Sequence, residues 1–175
     1  MPIKSRIRTI ADFPKAGIMY RDITTLLKDP LGLKITVDSL VKRYSDMEID
    51  VVAGIEARGF IIGAPIAMAL GKGFIPIRKK GKLPGETYSQ DYQLEYGVDT
   101  IEIHTDAFEK GQRVLMVDDL LATGGTMVGA IELVEKAGAV PVHACFIVDL
   151  PELKGGVRLK EKGMGFYALT EFDGH

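Results

Sequence analysis

The chain has 175 residues, of which 46% are hydrophobic and 26% charged, and it carries a formal net charge of −2. That length suits one ordinary domain with a continuous core, and the composition is that of a water-exposed globular protein. The near-neutral charge excludes the basic footprint of a nucleic-acid or anionic-membrane binder, and no apolar run approaches the ~20 residues of a membrane span.

No signal peptide opens the chain, so a cytoplasmic location is expected. In chain order, Asp12-Phe-Pro-Lys-Ala-Gly-Ile-Met-Tyr-Arg-Asp-Ile23 combines an aromatic, several apolar residues and Arg21. Asp29-Pro30 is a helix start, with Asp as N-cap and Pro at the first helical position. Leu33, Val37, Leu40, Val41 and Tyr44 then recur at helical spacing. Val51 to Ile55 reads as a buried strand, followed by Glu56-Ala-Arg-Gly59 and an apolar helix to about Leu70. Phe74 to Ile77 is a short strand. Lys79 to Thr100, rich in Gly, Pro, Lys and Tyr, reads as a long functional connection such as a lid. Val114 to Val117 is a buried strand, Thr126 to Ala137 a helix closed by Gly138, and Val140 to Leu150 and Phe166 to Phe172 the last strands. The lone Cys145, inside Ala144-Cys-Phe-Ile-Val, is expected to be a core residue. Strands alternating with helices point to an α/β fold with a doubly wound, mostly parallel sheet.

The densest chemistry follows Val117. Asp118 and Asp119 fall at the carboxyl end of a central strand, where open α/β sheets bind ligands. Ala122-Thr-Gly-Gly-Thr126 then offers closely spaced amides and two hydroxyls ahead of a helix, which is what a phosphate monoester needs. Two acids beside such a cradle suit a phosphorylated sugar. Two aspartates after a strand are otherwise most often a solvated turn. A Walker B reading lacks its GxxxxGK[ST] partner, and a receiver domain places its acids near the first strand. Glu56, Ala57, Arg58 and Gly59 form a second strand-to-helix loop and a second candidate anion site, although a surface salt bridge also accounts for Arg58. Arg78, Lys79 and Lys82 are basic residues placed to neutralise that anion or simply to be solvated. Glu95 is, unaided, an acid in the lid, and ordinary core packing accounts for Met19 and Leu150.

Val114 to Thr126 resembles the 5-phosphoribosyl-1-diphosphate (PRPP) signature of the type I phosphoribosyltransferases, and its wording, DDLLATGGT, resembles the adenine-specific branch. The resemblance runs from about Ile10 to Thr170, with four motifs in family order. It implies a single domain over 1–175, with an N-terminal hood over about 1–35 and a flexible lid over about 79–100. The implied reaction converts adenine and PRPP to AMP and diphosphate with Mg²⁺, in a homodimer. Asp118 and Asp119 then hold the ribose hydroxyls, Asp118 also meeting the metal through water. Ala122, Thr123, Gly124, Gly125 and Thr126 hold the 5-phosphate. Glu56, Ala57, Arg58 and Gly59, with Arg78, Lys82 and Tyr96, serve the diphosphate end, and a cis Glu56–Ala57 bond is implied. Glu95, in Leu94-Glu-Tyr-Gly97, is the implied acid/base. Met19, Arg21 and Leu150 enclose the base. A transferase for xanthine, hypoxanthine or orotate remains open, because the hood sets base choice. So does a non-catalytic nucleotide sensor on the same fold, although the chain lacks the basic surface of such regulators.

Overall fold

The computed structural model describes residues 2–94 and 97–174. An antiparallel hairpin forms the hood: β1 (Arg8–Ala11) pairs with β2 (Met19–Asp22) from Arg8↔Asp22 to Ala11↔Met19. Asp22 locks its base, accepting from the Thr24 amide at 2.9 Å and hydroxyl at 2.7 Å and from Arg8. The Thr24 hydroxyl and the Arg8 guanidinium hold its carboxyl down to about 2. After α1 (Thr24–Leu27), α2 (Pro30–Tyr44) opens as the sequence predicts, the Asp29 carboxylate accepting from Leu31 N at 3.3 Å. Its fully buried positions are Gly32, Thr36, Leu40 and Tyr44, so the inward face is turned slightly from the predicted stripe, whose Leu33, Val37 and Val41 are half-buried.

β3 (Val51–Ile55) leads into α3 (Arg58–Leu70), which stops at Gly71 in the left-handed region, φ 69°. β4 (Gly73–Lys79), β5 (Thr87–Leu94), β6 (Gly97–His104), β7 (Arg113–Val117) and β8 (Leu120–Leu121) precede α4 (Gly125–Lys136). β9 (Val140–Asp149), α5 (Gly155–Glu161) and β10 (Phe166–Glu171) complete the order. Among the described residues the large sheet has eight strands, ordered β10-β9-β7-β3-β4-β6-β5 with β8 beside β9. β10, β9, β7, β3 and β4 run parallel, and β6 and β5 are antiparallel additions at one edge. Alternation divides the core between the two faces. Val51, Ala53, Ile55, Val114, Met116, Ala144 and Phe146 meet α4 and Leu159 of α5 on one side. Val52, Leu115, Val117, Cys145 and Ile147 meet Leu40 and Tyr44 of α2 and Ile62 and Ile66 of α3 on the other. Cys145 is thus a core residue, as expected. No helix among the described residues is long and apolar enough to cross a membrane.

The stretch from Lys79 to Thr100 is not an irregular connection. It holds β5 and the start of β6, paired from Thr87↔His104 to Leu94↔Gly97. Period-two burial explains this: Ile101 and Ile103 join the core, with Tyr92 buried and Tyr88 packed against the same cluster. Glu102, on the opposite face, accepts from Gly81 N at 2.7 Å, Thr87 Oγ1 at 2.8 Å and Ser89 Oγ at 3.1 Å. Composition rich in Gly, Pro and Lys concealed that alternation.

Candidate active site

A cavity of about 760 Å³ opens where β7, β8 and β9 end, beneath β2. It joins two chemistries. Asp118, Asp119, Arg58 and the segment Ala122 to Thr126 line its polar part. Ile18, Met19, Phe146, Leu150 and Leu153 line its apolar part.

The two acids are held by the sheet. Asp118 N donates to Cys145 O at 3.1 Å, and Asp119 O accepts from Ile147 N at 2.9 Å and Val148 N at 3.0 Å. Asp119 N donates to Asp118 Oδ1 at 2.8 Å, and Arg58 Nε donates to Asp119 Oδ2 at 2.5 Å. Burial first, and then the charge of Asp119, push the Asp118 carboxyl well above the usual carboxylate range. Burial opposes the Arg58 cation, but Asp119 more than offsets this. Gly59 lets α3 approach: a Cβ there would stand 2.9 Å from Val117 O.

The loop expected to cradle a phosphate leads straight into its helix, which starts at Gly125, one residue earlier than expected. The first amide of this end to find a helical acceptor is Val128 N, at 3.0 Å from Gly124 O. Among the described residues, the amides of Thr123, Gly124, Gly125 and Thr126 have no acceptor. Those of Gly124, Gly125 and Thr126 are orphan donors of a helix N-terminus, with Thr123 just ahead of it, and all are available to an anion. Gly124 has φ 86°, and a Cβ on Gly125 would stand 2.2 Å from Gln93 O.

The Glu56–Ala57 peptide is cis, as the resemblance implied. Glu56 N donates to Ile77 O at 2.9 Å, its carboxylate accepts from Lys79 N, and Arg78 Nε lies 3.5 Å from Glu56 Oε1. Arg78 Nε is buried with no hydrogen-bond acceptor among the described residues. Ala57 caps α3 with Arg58 and Gly59 in its first turn, so this loop reaches the cavity through Arg58. Lys82 is exposed in the turn after β4 and is not part of the cavity wall. Lys79 is turned into the hairpin, 2.5 Å from Asp99 Oδ2 and 3.1 Å from Tyr92 Oη. Glu95 and Tyr96 lie outside the described residues.

At the apolar end, Met19 and Leu150 line the cavity from the hood and from the end of β9, as predicted. Arg21 lines it too, its Nε buried with no hydrogen-bond acceptor among the described residues. It donates to Thr9 Oγ1 at 2.7 Å and Asp173 O at 3.0 Å, and its Cζ sits 4.5 Å from the Phe172 ring centre. These contacts tie β1 and β2 to the chain after β10. Ile18, Phe146 and Leu153 were missed, since isolated apolar residues carry no motif. Arg158, discussed below, was missed because a lone basic residue within a helix carries no motif either.

No group of three or more carboxylate, histidine or cysteine side chains among the described residues forms a metal cage. Asp118 and Asp119 nevertheless fit a hard divalent ion that keeps water and phosphate oxygens as its other ligands.

Comparison with known proteins agrees with this arrangement. The phosphoribosyl transferase domain model matches residues 23–167. The adenine phosphoribosyltransferase of Nitrosospira multiformis is 60% identical over 175 residues, covering 100% of both chains. The crystal structure of adenine phosphoribosyltransferase from Thermoanaerobacter pseudethanolicus superposes with a TM-score of 0.93 at 48% identity, over 98% of each chain. That of the Giardia lamblia enzyme, complexed with 9-deazaadenine, gives 0.93 at 36% identity, over 99% of this chain and 97% of the other. By sequence over its full length and by fold, the chain belongs to the phosphoribosyltransferase family, in its adenine phosphoribosyltransferase branch.

Proposed function

We propose that this chain transfers the 5-phosphoribosyl group of PRPP to N9 of adenine, giving AMP and diphosphate in purine salvage. The observation that carries this reading is the single cavity in which an acid pair, an amide cradle and an apolar end meet. N9 attacks C1 of the ribose as the C1–O bond to diphosphate breaks, and the N9 proton is lost. Asp118 and Asp119 hold the ribose 2- and 3-hydroxyls, next to the carbon on which positive charge builds. The amides of Thr123 to Thr126 and the Ala122 segment hold the 5-phosphate. Arg58, in the loop with Glu56, Ala57 and Gly59, faces the diphosphate end, with Arg78 behind it and Lys82 and Tyr96 reaching it on lid closure. Asp118 would hold Mg²⁺ through water, and the bound ion would supply neutralisation of charge on the departing diphosphate. Glu95 moves the purine proton, an assignment resting on its motif. Met19, Arg21 and Leu150 enclose the base, and closure of the lid excludes water that would otherwise hydrolyse PRPP.

The same reading takes 1–175 as one domain, with the hood over about 1–35 and the lid over about 79–100. A cytoplasmic location fits it, and a homodimer would cover apolar residues such as Ile61 and Met68 on the outward face of α3, 47% and 82% exposed in the single chain.

The test is to mix the protein with PRPP, Mg²⁺ and each nucleobase separately and follow nucleotide and diphosphate. AMP from adenine, with little product from hypoxanthine, guanine, xanthine or orotate, is the expected result. Turnover of another base overturns the assignment of the apolar end. PRPP or AMP binding without any turnover identifies a sensor instead.

A further inference from the structure

The phosphate cradle is held from behind by α5, which contributes nothing to the cavity wall. The two elements meet backbone to backbone. A Cβ on Gly124 would stand 3.1 Å from both Cα and O of Gly155, and a Cβ on Gly155 would stand 2.4 Å from Ala122 O. Arg158, half-buried one turn into α5, closes the contact by donating from Nη1 to Thr123 O at 3.1 Å.

That hydrogen bond has a geometric consequence. The Thr123–Gly124 peptide is trans, so its C=O and N–H point in opposite directions. Holding the carbonyl toward α5 therefore aims the Gly124 N–H away from α5, on the side where Gly124 lines the cavity. Among the described residues the Gly124 N–H has no acceptor to hold it there. Gly124 sits at φ 86°, and glycine populates either sign of φ about equally well, so this peptide can rotate at little conformational cost. A rotated peptide would present a carbonyl oxygen to the phosphate in place of a donor. The guanidinium is suited to the task, being a planar fork of donors, and Arg158 has no carboxylate partner among the described residues.

We infer that Arg158 is a positioning residue, which orients the Thr123–Gly124 peptide and so sets affinity for the phosphate of a 5-phosphorylated ribose. The inference rests on the reading of Ala122 to Thr126 as the phosphate site. Its test uses the intact protein and the variants Arg158→Met, Arg158→Lys and Arg158→Ala. Arg158→Met keeps most of the stem and removes the donors. It is expected to raise KM for PRPP roughly ten-fold, the scale of one lost hydrogen bond from a charged group, and to leave kcat and KM for adenine within about two-fold. Arg158→Lys recovers part of the loss, and millimolar guanidinium recovers part of it in Arg158→Ala. A purely structural role predicts no such rescue and a matching rise in both KM values.

Calorimetry with ribose 5-phosphate, with unphosphorylated ribose as control, separates this inference from the proposed reaction. Binding by the wild type that weakens in Arg158→Met supports the role of Arg158, even if no AMP is made from adenine. Equal binding by wild type and Arg158→Met, or no binding by either, overturns it.

Discussion

Gly155→Ala sets two effects of opposite sign against each other. Gly155 does not have a positive φ, so alanine meets no backbone strain, and at a helical position alanine is intrinsically favoured by up to ~1 kcal/mol. Against this, the new Cβ stands 2.4 Å from Ala122 O and 2.8 and 2.9 Å from Leu121 Cδ1 and Cγ. An ordinary C···O contact is ~3.3 Å or more, so α5 and the phosphate loop must part by close to ~1 Å. Overpacking of this kind costs about 1–3 kcal/mol, which exceeds the propensity gain. The net loss of about 1–2 kcal/mol corresponds to a melting midpoint lower by roughly 2–8 °C for a chain of this size. The same displacement stretches the Arg158–Thr123 hydrogen bond from 3.1 Å beyond hydrogen-bonding range. KM for PRPP should therefore rise while KM for adenine stays near its wild-type value. Differential scanning fluorimetry and initial-rate kinetics read both effects. Gly73→Ala is the control, because a Cβ there meets nothing within 4 Å. A Gly155→Ala protein as stable as wild type, with an unchanged KM for PRPP, would refute the close-approach argument.

Asp118→Asn should separate stability from activity. The folded carboxyl is raised by burial and by Asp119, so its favourable contribution is present below the unfolded pKa and lost as pH rises through the folded one. Without ligand, the variant should be more stable than wild type at pH 8, by roughly 1–2 kcal/mol, and the gap should close as pH falls toward 4. Its kcat/KM should fall on the order of 100-fold; equal melting curves at pH 8 would contradict the burial argument. Asp22 has the opposite sign. Its carboxyl is lowered from 3.8 to about 2, so its contribution is present above 3.8 and lost as pH falls through about 2. Asp22→Asn should cost about 2 kcal/mol in urea unfolding at pH 7, and a cost that does not shrink between pH 4 and pH 2 would count against it. Burial pushes the Cys145 thiol far up, so it should react with a thiol reagent only at the rate of unfolding. Fast labelling of the native protein would contradict its core position.

Residues close together in the chain carried most of what was legible. Val51 to Ile55 and Val114 to Val117 are apolar at every position because both faces of a central parallel strand are covered. Asp29-Pro30 caps a helix through contacts within two residues. The acid pair and the glycine-rich turn are local in the same way, since strand end, loop and helix start follow without a break. Long-range pairing was harder to read. The hairpin of β5 and β6 is set by Ile101 and Ile103 meeting the core and by Glu102 gathering Gly81, Thr87 and Ser89. A loop-like composition gives no sign of those partners. Lys82 read as a basic residue beside an anion site, yet it stands exposed in a turn away from the cavity wall, because charge in a sequence carries no direction.

The alternation of strands and helices, the acid pair at a strand end and the amide cradle after it are written in the chain itself, because each depends on side-chain period and on turn chemistry spanning a few residues. Folding in three dimensions was needed to bring Arg58 to Asp119 across 61 positions, to let Arg21 tie the hood to the chain after β10, and to carry Arg158 to Thr123. Those contacts depend on the order of strands in the sheet and on glycines that let backbones touch, and neither has a local signature.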